Sequence, residues 1–117
     1  MSDIVITGAS GGVGRALVNL FLNENWNVYA LLRNKDSLQN LNHKKLTCIE
    51  YDARDCKSLD KAFSKIDNID VLVNNAAIFQ SKGILEYKAD EIDEIIDTNL
   101  KGSIFSTINA LKVMKKG

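Results

Sequence analysis

The sequence predicts an α/β fold built on a doubly wound parallel sheet, and three observations predict it. Strand-like and helix-like patterns alternate from one end of the chain to the other, as they do when parallel strands are joined by helices. The first strand-like run, Ile4-Val5-Ile6-Thr7, is apolar and β-branched, which suits a parallel strand buried on both faces. That run breaks into Gly8-Ala9-Ser10-Gly11-Gly12-Val13-Gly14 and re-emerges as an amphipathic segment. Strand, glycine turn and helix together aim free backbone N–H groups and a helix N-terminus at an anion. The chain therefore reads as beginning with a dinucleotide phosphate site.

In the helix after the turn, Val13, Ala16, Leu17, Leu20 and Phe21 recur at the spacing of a face laid on a sheet. Glu24-Asn25 break that pattern, and Trp26 to Leu32 reads as a second strand ending at Arg33. Lys35 to Leu41 is expected as a short helix with Asn34 as its cap. Leu46 to Tyr51 is a third strand, followed by Asp52-Ala53-Arg54-Asp55. The next helix carries Leu59, Ala62, Phe63 and Ile66 on one face, with Asp55 or Ser58 as its cap. Ile69 to Val73 is the fourth strand and runs into Asn74-Asn75-Ala76-Ala77, and Gln80 to Gly83 is a loop. From about Ala89 to Lys115 the pattern is helical, with Gly102 as its one weak point. Right-handed crossovers give the sheet order 3-2-1-4. Ligands bind such sheets at the carboxyl ends of the strands where the order reverses, here between strands 1 and 4. The glycine turn and the Asn74–Ala77 turn both fall there.

Composition narrows the class. The 117 residues fit one domain, expected to span 1–117, and 45% hydrophobic residues are enough for a core. Fifteen basic and fifteen acidic side chains balance, so no long-range field favours nucleic acid or an anionic membrane. No apolar run approaches the ~20 residues of a membrane span, and the N-terminus lacks a basic segment followed by a long apolar one. Cys48 and Cys56 are too few for a disulfide framework, and no second Cys/His pair supports a metal site. A cytoplasmic protein without a metal is the expectation. His43 sits among Asn42, Lys44 and Lys45 and is not a credible base. Cys48 reads as a small core residue, and nothing around Cys56 suggests an active thiol.

The glycines divide the work of the first turn. Gly8 can take a backbone angle forbidden to other residues, Gly12 has no Cβ to hold a pyrophosphate away, and Gly14 lets the helix approach the sheet. Thr7, Ser10 and the N–H groups around Gly12 and Val13 offer hydrogen bonds.

Three ordered motifs resemble the short-chain dehydrogenase/reductase family over essentially the whole chain. Thr7, Gly8, Gly12 and Gly14 match the family's Thr-Gly-x-x-x-Gly-x-Gly. Asn74, Asn75 and Ala76 match its Asn-Asn-Ala-Gly, with Ala77 replacing the glycine, and Asp97-Thr98-Asn99-Leu100-Lys101-Gly102 matches a third segment. The resemblance implies a Rossmann-like sheet, a nicotinamide dinucleotide cofactor, and hydride transfer to or from a carbonyl or alcohol. NAD users of the family place an acidic residue near the end of the second strand, for the ribose 2′-OH. Leu32 stands there instead, and Arg33 beside it suits a 2′-phosphate, so NADP(H) is expected over NAD(H). Lys35 could assist, and an ordinary surface role explains it as well. By resemblance Asp52 contacts the adenine amino group with Ala53 supplying backbone; an aspartate ending a strand is equally explained as turn chemistry. Asn75, Ala76 and Ala77 line the cofactor crevice, while Asn74 is expected to tie neighbouring strands together. Asn99 is implied to hold a water through a helix irregularity, as one of a catalytic tetrad.

The rest of that tetrad is a serine, a tyrosine and a lysine four residues after the tyrosine. Four residues after Tyr29, Tyr51 and Tyr87 come Arg33, Asp55 and Glu91. The chain therefore reads as truncated before the catalytic segment and inactive by itself, the cofactor-binding part of an oxidoreductase. A stand-alone, non-catalytic dinucleotide-binding or regulatory protein is the alternative. Strand 4 is expected at a sheet edge. The last helices offer Ile92, Ile95, Ile96, Leu100, Ile104, Ile108 and Leu111, so self-association through either is expected.

Overall fold

Four short apolar runs supply the parallel strands of one sheet: β1 (Asp3–Thr7), β2 (Asn27–Leu32), β3 (Leu46–Glu50) and β4 (Val71–Val73). Their order is β3-β2-β1-β4, as expected, with β4 at an edge. This computed structural model describes residues 2–38 and 40–115, the side chain of Lys35 apart. Period-two alternation divides the strand side chains between two cores. Ile4 and Ile6 of β1 and Val28, Ala30 and Leu32 of β2 face α1 (Gly12–Asn23), while Val5 and Leu31 face the opposite layer. That second layer holds α2 (Cys56–Phe63) and α4 (Gly102–Val113). Ile4, Val5 and Ile6 are wholly buried, each worth roughly 1.5–3 kcal/mol of transfer free energy.

The packed face of α1 differs from the expected one. Gly14, Val18 and Leu22 are buried, with Leu17 and Phe21 partly so, whereas Val13 and Leu20 are 67% and 52% exposed. Ala16 is also exposed. The phase is set where the helix begins. Gly14 lies against the sheet, and positions four and eight residues on follow it inward. Asn25, in the left-handed region at φ 69°, ends the helix, and Trp26 folds back edge-on to Phe21 with ring centroids 5.1 Å apart.

The expected helix over Lys35–Leu41 is a 3₁₀ turn over Lys35–Leu38, and Gln39 lies outside the described residues. Asn34 caps it, its side-chain oxygen accepting the Asp36 N–H at 3.0 Å. Asp55, not Ser58, caps α2 by accepting the Lys57 N–H at 3.0 Å, an arrangement worth about 1 kcal/mol. Ser58 instead accepts the Asp52 N–H at 2.8 Å.

The long C-terminal helix is three segments: α3 (Ala89–Ile96), a π-helical turn (Asp97–Lys101) and α4. Gly102 is not a weak point but a close approach. A Cβ there would lie 2.7 Å from the Ala53 carbonyl oxygen, so the bare backbone lets α4 seat against the end of β3. The outer side of these helices stays apolar and open, with Ile92, Ile96, Leu100, Ile104, Ile108 and Leu111 all exposed.

Candidate functional site

Beyond the carboxyl ends of β1 and β4 lies a cleft of about 360 Å³. Its lining comes from every layer of the fold: Gly8 and Ser10–Val13 from the glycine turn, Arg33 after β2, Tyr51 and Ala53 after β3, Asn75–Ile78 after β4, and Thr98 from the π turn. The two turns singled out from the sequence thus face each other across one space.

The glycine turn is shaped by two close approaches. Gly8 has φ +61°, and a Cβ on it would lie 2.6 Å from the Ala76 Cα. At Gly14 a Cβ would collide with the Gly8 carbonyl oxygen and lie 2.8 Å from both the Ala9 Cα and the Asn75 amide nitrogen. Above Gly12, by contrast, a Cβ would meet nothing within 4 Å. Open space therefore lies where the first N–H groups of α1 emerge. Those groups have no intrahelical acceptors. The N-cap is Gly11, with no side-chain cap, and the first turn holds no acidic residue. The helix brings a partial positive charge to the cleft without a neutralising group of its own. A pyrophosphate fits that position.

Nine of the twelve residues expected to bind cofactor line the cleft: Gly8, Ser10, Gly12, Val13, Arg33, Ala53, Asn75, Ala76 and Ala77. Thr7, Gly14 and Asp52 do not. Thr7 is 2% exposed, and its hydroxyl is spent inside the protein. It donates to the Val73 carbonyl at 3.4 Å and accepts the N–H groups of Asn75 and Ala76 at 3.0 and 3.1 Å. Asn75 lines the cleft as expected, but the strand tie expected of Asn74 is made by Asn75 instead. Asn75 ties strands together, its amide donating to the Gly8 carbonyl at 3.0 Å, whereas Asn74 reaches Thr107 on α4 at 3.0 Å.

Asp52 sits beside the cleft in a fork-to-fork pair with Arg54. Arg54 Nε and Nη2 donate to its two oxygens at 3.0 and 2.9 Å, and Arg54 Nη1 reaches Glu94 on α3 at 3.3 Å. The Arg54 hydrogen bonds hold the Asp52 carboxyl down at about 2, against opposing desolvation, with Arg33 adding a smaller attraction. Asn99 does not line the cleft directly. Its side-chain oxygen accepts the Ile78 N–H at 2.8 Å and its amide donates to the Ile78 carbonyl at 2.9 Å, clamping the segment that does. The π turn carries Thr98 to the cleft wall, and the Asn99 carbonyl accepts the Ser103 hydroxyl at 2.9 Å.

Sequence reasoning named neither Tyr51, Ile78 nor Thr98 for the site. Thr98 stood inside a recognised motif and was within reach. Tyr51 closed a strand, and nothing local signalled that its side chain would arrive at the glycine turn.

Comparison with known proteins bears on the same cleft. A family model described as short chain dehydrogenase matches residues 2–117. An uncharacterized oxidoreductase of Schizosaccharomyces pombe is 32% identical over 119 residues, which cover 98% of this chain and 40% of that protein. One from Staphylococcus aureus is 31% identical over 118 residues, covering 94% of this chain and 51% of the relative. Among solved structures, a short-chain dehydrogenase/reductase of Brucella melitensis, described as a glucose/ribitol dehydrogenase, superposes with a TM-score of 0.91 at 27% identity. It covers 98% of this chain, which spans 53% of it. Serine dehydrogenase from Escherichia coli gives 0.86 at 26% identity, over 94% of this chain and 55% of its own. The chain thus spans about half the length of the curated relatives and structures it matches.

Proposed function

The chain belongs to the short-chain dehydrogenase family, and on that premise we propose that its cleft binds a nicotinamide dinucleotide, NADP(H) in preference to NAD(H). The observation that carries this reading is the uncapped N-terminus of α1, open above Gly12, with Arg33 lining the same cleft. The N–H groups at Gly12 and Val13, with Ser10, hold the pyrophosphate. Arg33 takes the 2′-phosphate through its guanidinium fork, and no carboxylate stands at Leu32 to favour a free 2′-hydroxyl. Ala53 and the adjoining Asp52 receive the adenine. Asn75, Ala76 and Ala77 form the opposite wall.

When bound, the nicotinamide donates or accepts a hydride, and the substrate class is a carbonyl or alcohol. Asn99 belongs to the proposed catalytic set by holding a water through the π turn, with Ile78 locked beside it. Within these 117 residues no tyrosine has a lysine four positions on, so the isolated chain is expected to bind cofactor without turning over. That same observation favours, as a second reading, a non-catalytic dinucleotide-binding protein. The exposed helix face and the β4 edge are proposed to mediate self-association, and a cytoplasmic location accompanies the reading. Among the described residues no helix is long and apolar enough to cross a membrane.

Fluorescence titration with NADPH and NADH tests the central assignment. Micromolar binding, tighter for NADPH, is expected, and absence of binding to either at millimolar concentration refutes it.

A further inference from the structure

The glycine turn is held from each of the other strands. The Ala9 N–H donates to the Leu31 carbonyl of β2 at 3.1 Å, and the Asn75 amide beyond β4 donates to the Gly8 carbonyl at 3.0 Å. From the end of β3, the Tyr51 hydroxyl accepts the Gly8 N–H at 3.1 Å. This last tie is unlike the other two, because β2 stands between β3 and β1. A long side chain spans the gap. Its residue is 6% exposed, in the same core as Val5, Leu31 and Ile49, yet it also lines the cleft. The Tyr51 hydroxyl also adjoins the Thr7 side chain. Thr7 Oγ1 in turn accepts the N–H groups of Asn75 and Ala76. Two adjoining hydroxyls thus gather three backbone N–H groups, one from the glycine turn and two from the turn after β4. These are the two walls between which the cleft opens.

We propose that Tyr51 is a positioning residue for phosphate recognition, its hydroxyl fixing the glycine turn so that the first N–H groups of α1 face a pyrophosphate before the ligand arrives. This rests on the dinucleotide reading of the cleft. Removing the hydroxyl leaves the Gly8 N–H without that acceptor at a glycine held in the left-handed region. The turn then shifts to find another partner, and ligand binding must first restore it. The phenyl ring remains to fill its place in the core.

Tyr51→Phe in the whole 117-residue chain separates this role from simple packing. Three readouts apply: amide exchange at Gly8 by NMR, affinity for NADPH, and affinity for adenosine 2′-monophosphate, which carries no pyrophosphate. Gly8 exchange is expected to rise about tenfold and NADPH affinity to fall about five- to tenfold, the scale of one lost hydrogen bond. Affinity for adenosine 2′-monophosphate is expected to stay constant. Unchanged NADPH affinity overturns the role of Tyr51 alone, as does an equal loss for both ligands. A wild-type chain that binds no NADPH overturns the dinucleotide reading and this inference with it. Should the variant fail to fold, the wild-type chain still decides. Its Gly8 amide is expected to exchange more slowly than that of Gly11, whose N–H has only a 3.4 Å contact to the Gly8 carbonyl; equal rates overturn the proposal.

Discussion

Alanine at Gly14 and alanine at Gly12 stand two residues apart and are expected to fail in opposite ways. A methyl at position 14 lands against the Gly8 carbonyl oxygen and 2.8 Å from both the Ala9 Cα and the Asn75 amide nitrogen. Ordinary contact requires roughly 3.5 Å, so α1 must retreat by about an ångström along its length or the turn must open. Overpacking of this kind costs about 1–3 kcal/mol, and breaking the Asn75–Gly8 hydrogen bond adds about 1 kcal/mol. Alanine's greater helix propensity returns about 1 kcal/mol. The net loss expected for Gly14→Ala is about 1–3 kcal/mol. A methyl at position 12 meets nothing within 4 Å, so Gly12→Ala should change stability by no more than about 1 kcal/mol, in the favourable direction. It does, however, project into the space above the helix N-terminus, and NADPH affinity should fall at least about tenfold, or about 1.4 kcal/mol. Urea denaturation and fluorescence titration of both variants measure the two effects. A Gly14→Ala chain as stable as wild type, or a Gly12→Ala chain that binds NADPH normally, refutes the reasoning.

Arg33→Ala is expected to lower NADPH affinity about ten- to a hundredfold, the loss of a charge-assisted phosphate contact, while leaving NADH affinity within about twofold; paired titrations read the ratio. For Asp52, the folded carboxyl is depressed to about 2 from 3.8. Its pairing with Arg54 therefore contributes in full above about pH 3.8 and is lost as the pH falls towards about 2. With the side chains 37% and 39% exposed, solvent screening holds the contribution below about 1 kcal/mol. Acid denaturation of Asp52→Asn should show that slope reduced between those limits. The exposed face holding Leu100, Ile104, Ile108 and Leu111, 43–63% exposed, predicts concentration-dependent association at tens of micromolar. Sedimentation velocity should show Leu100→Lys with Ile104→Lys shifted towards monomer.

The sheet order was legible because it depends on local signals: apolar β-branched runs, the spacing between them, and the handedness of crossovers. The phase of α1 was not, although its apolar residues are plain to see. Val13 and Leu20 satisfy a helical face as well as Val18 and Leu22 do, and the choice between them is made by Gly14 resting on the Gly8 carbonyl. The separate ties of Asn74 and Asn75 have the same origin. Adjacent residues at a strand end point to opposite sides, and only the packing of α4 against β4 decides which one meets Thr107 and which one meets Gly8. The π turn in the last helix was foreshadowed at Asn99 only by resemblance, since such a turn leaves no periodic mark. Tyr51 was least legible of all. Its partner is 43 residues away, and the link exists only once β3, β2 and β1 lie side by side.

The central claim is that the N-terminus of α1, facing the Asn75–Ala77 wall, receives the phosphates of a dinucleotide. Backbone NMR of the chain during titration with NADPH tests it most directly. The account predicts the largest shifts at the N–H groups of Gly11, Gly12 and Val13, with smaller ones at Arg33, Ala53 and Ala76, and little change along the outer face of α4. Shifts centred on α4, or none at the glycine turn at saturating NADPH, would contradict it.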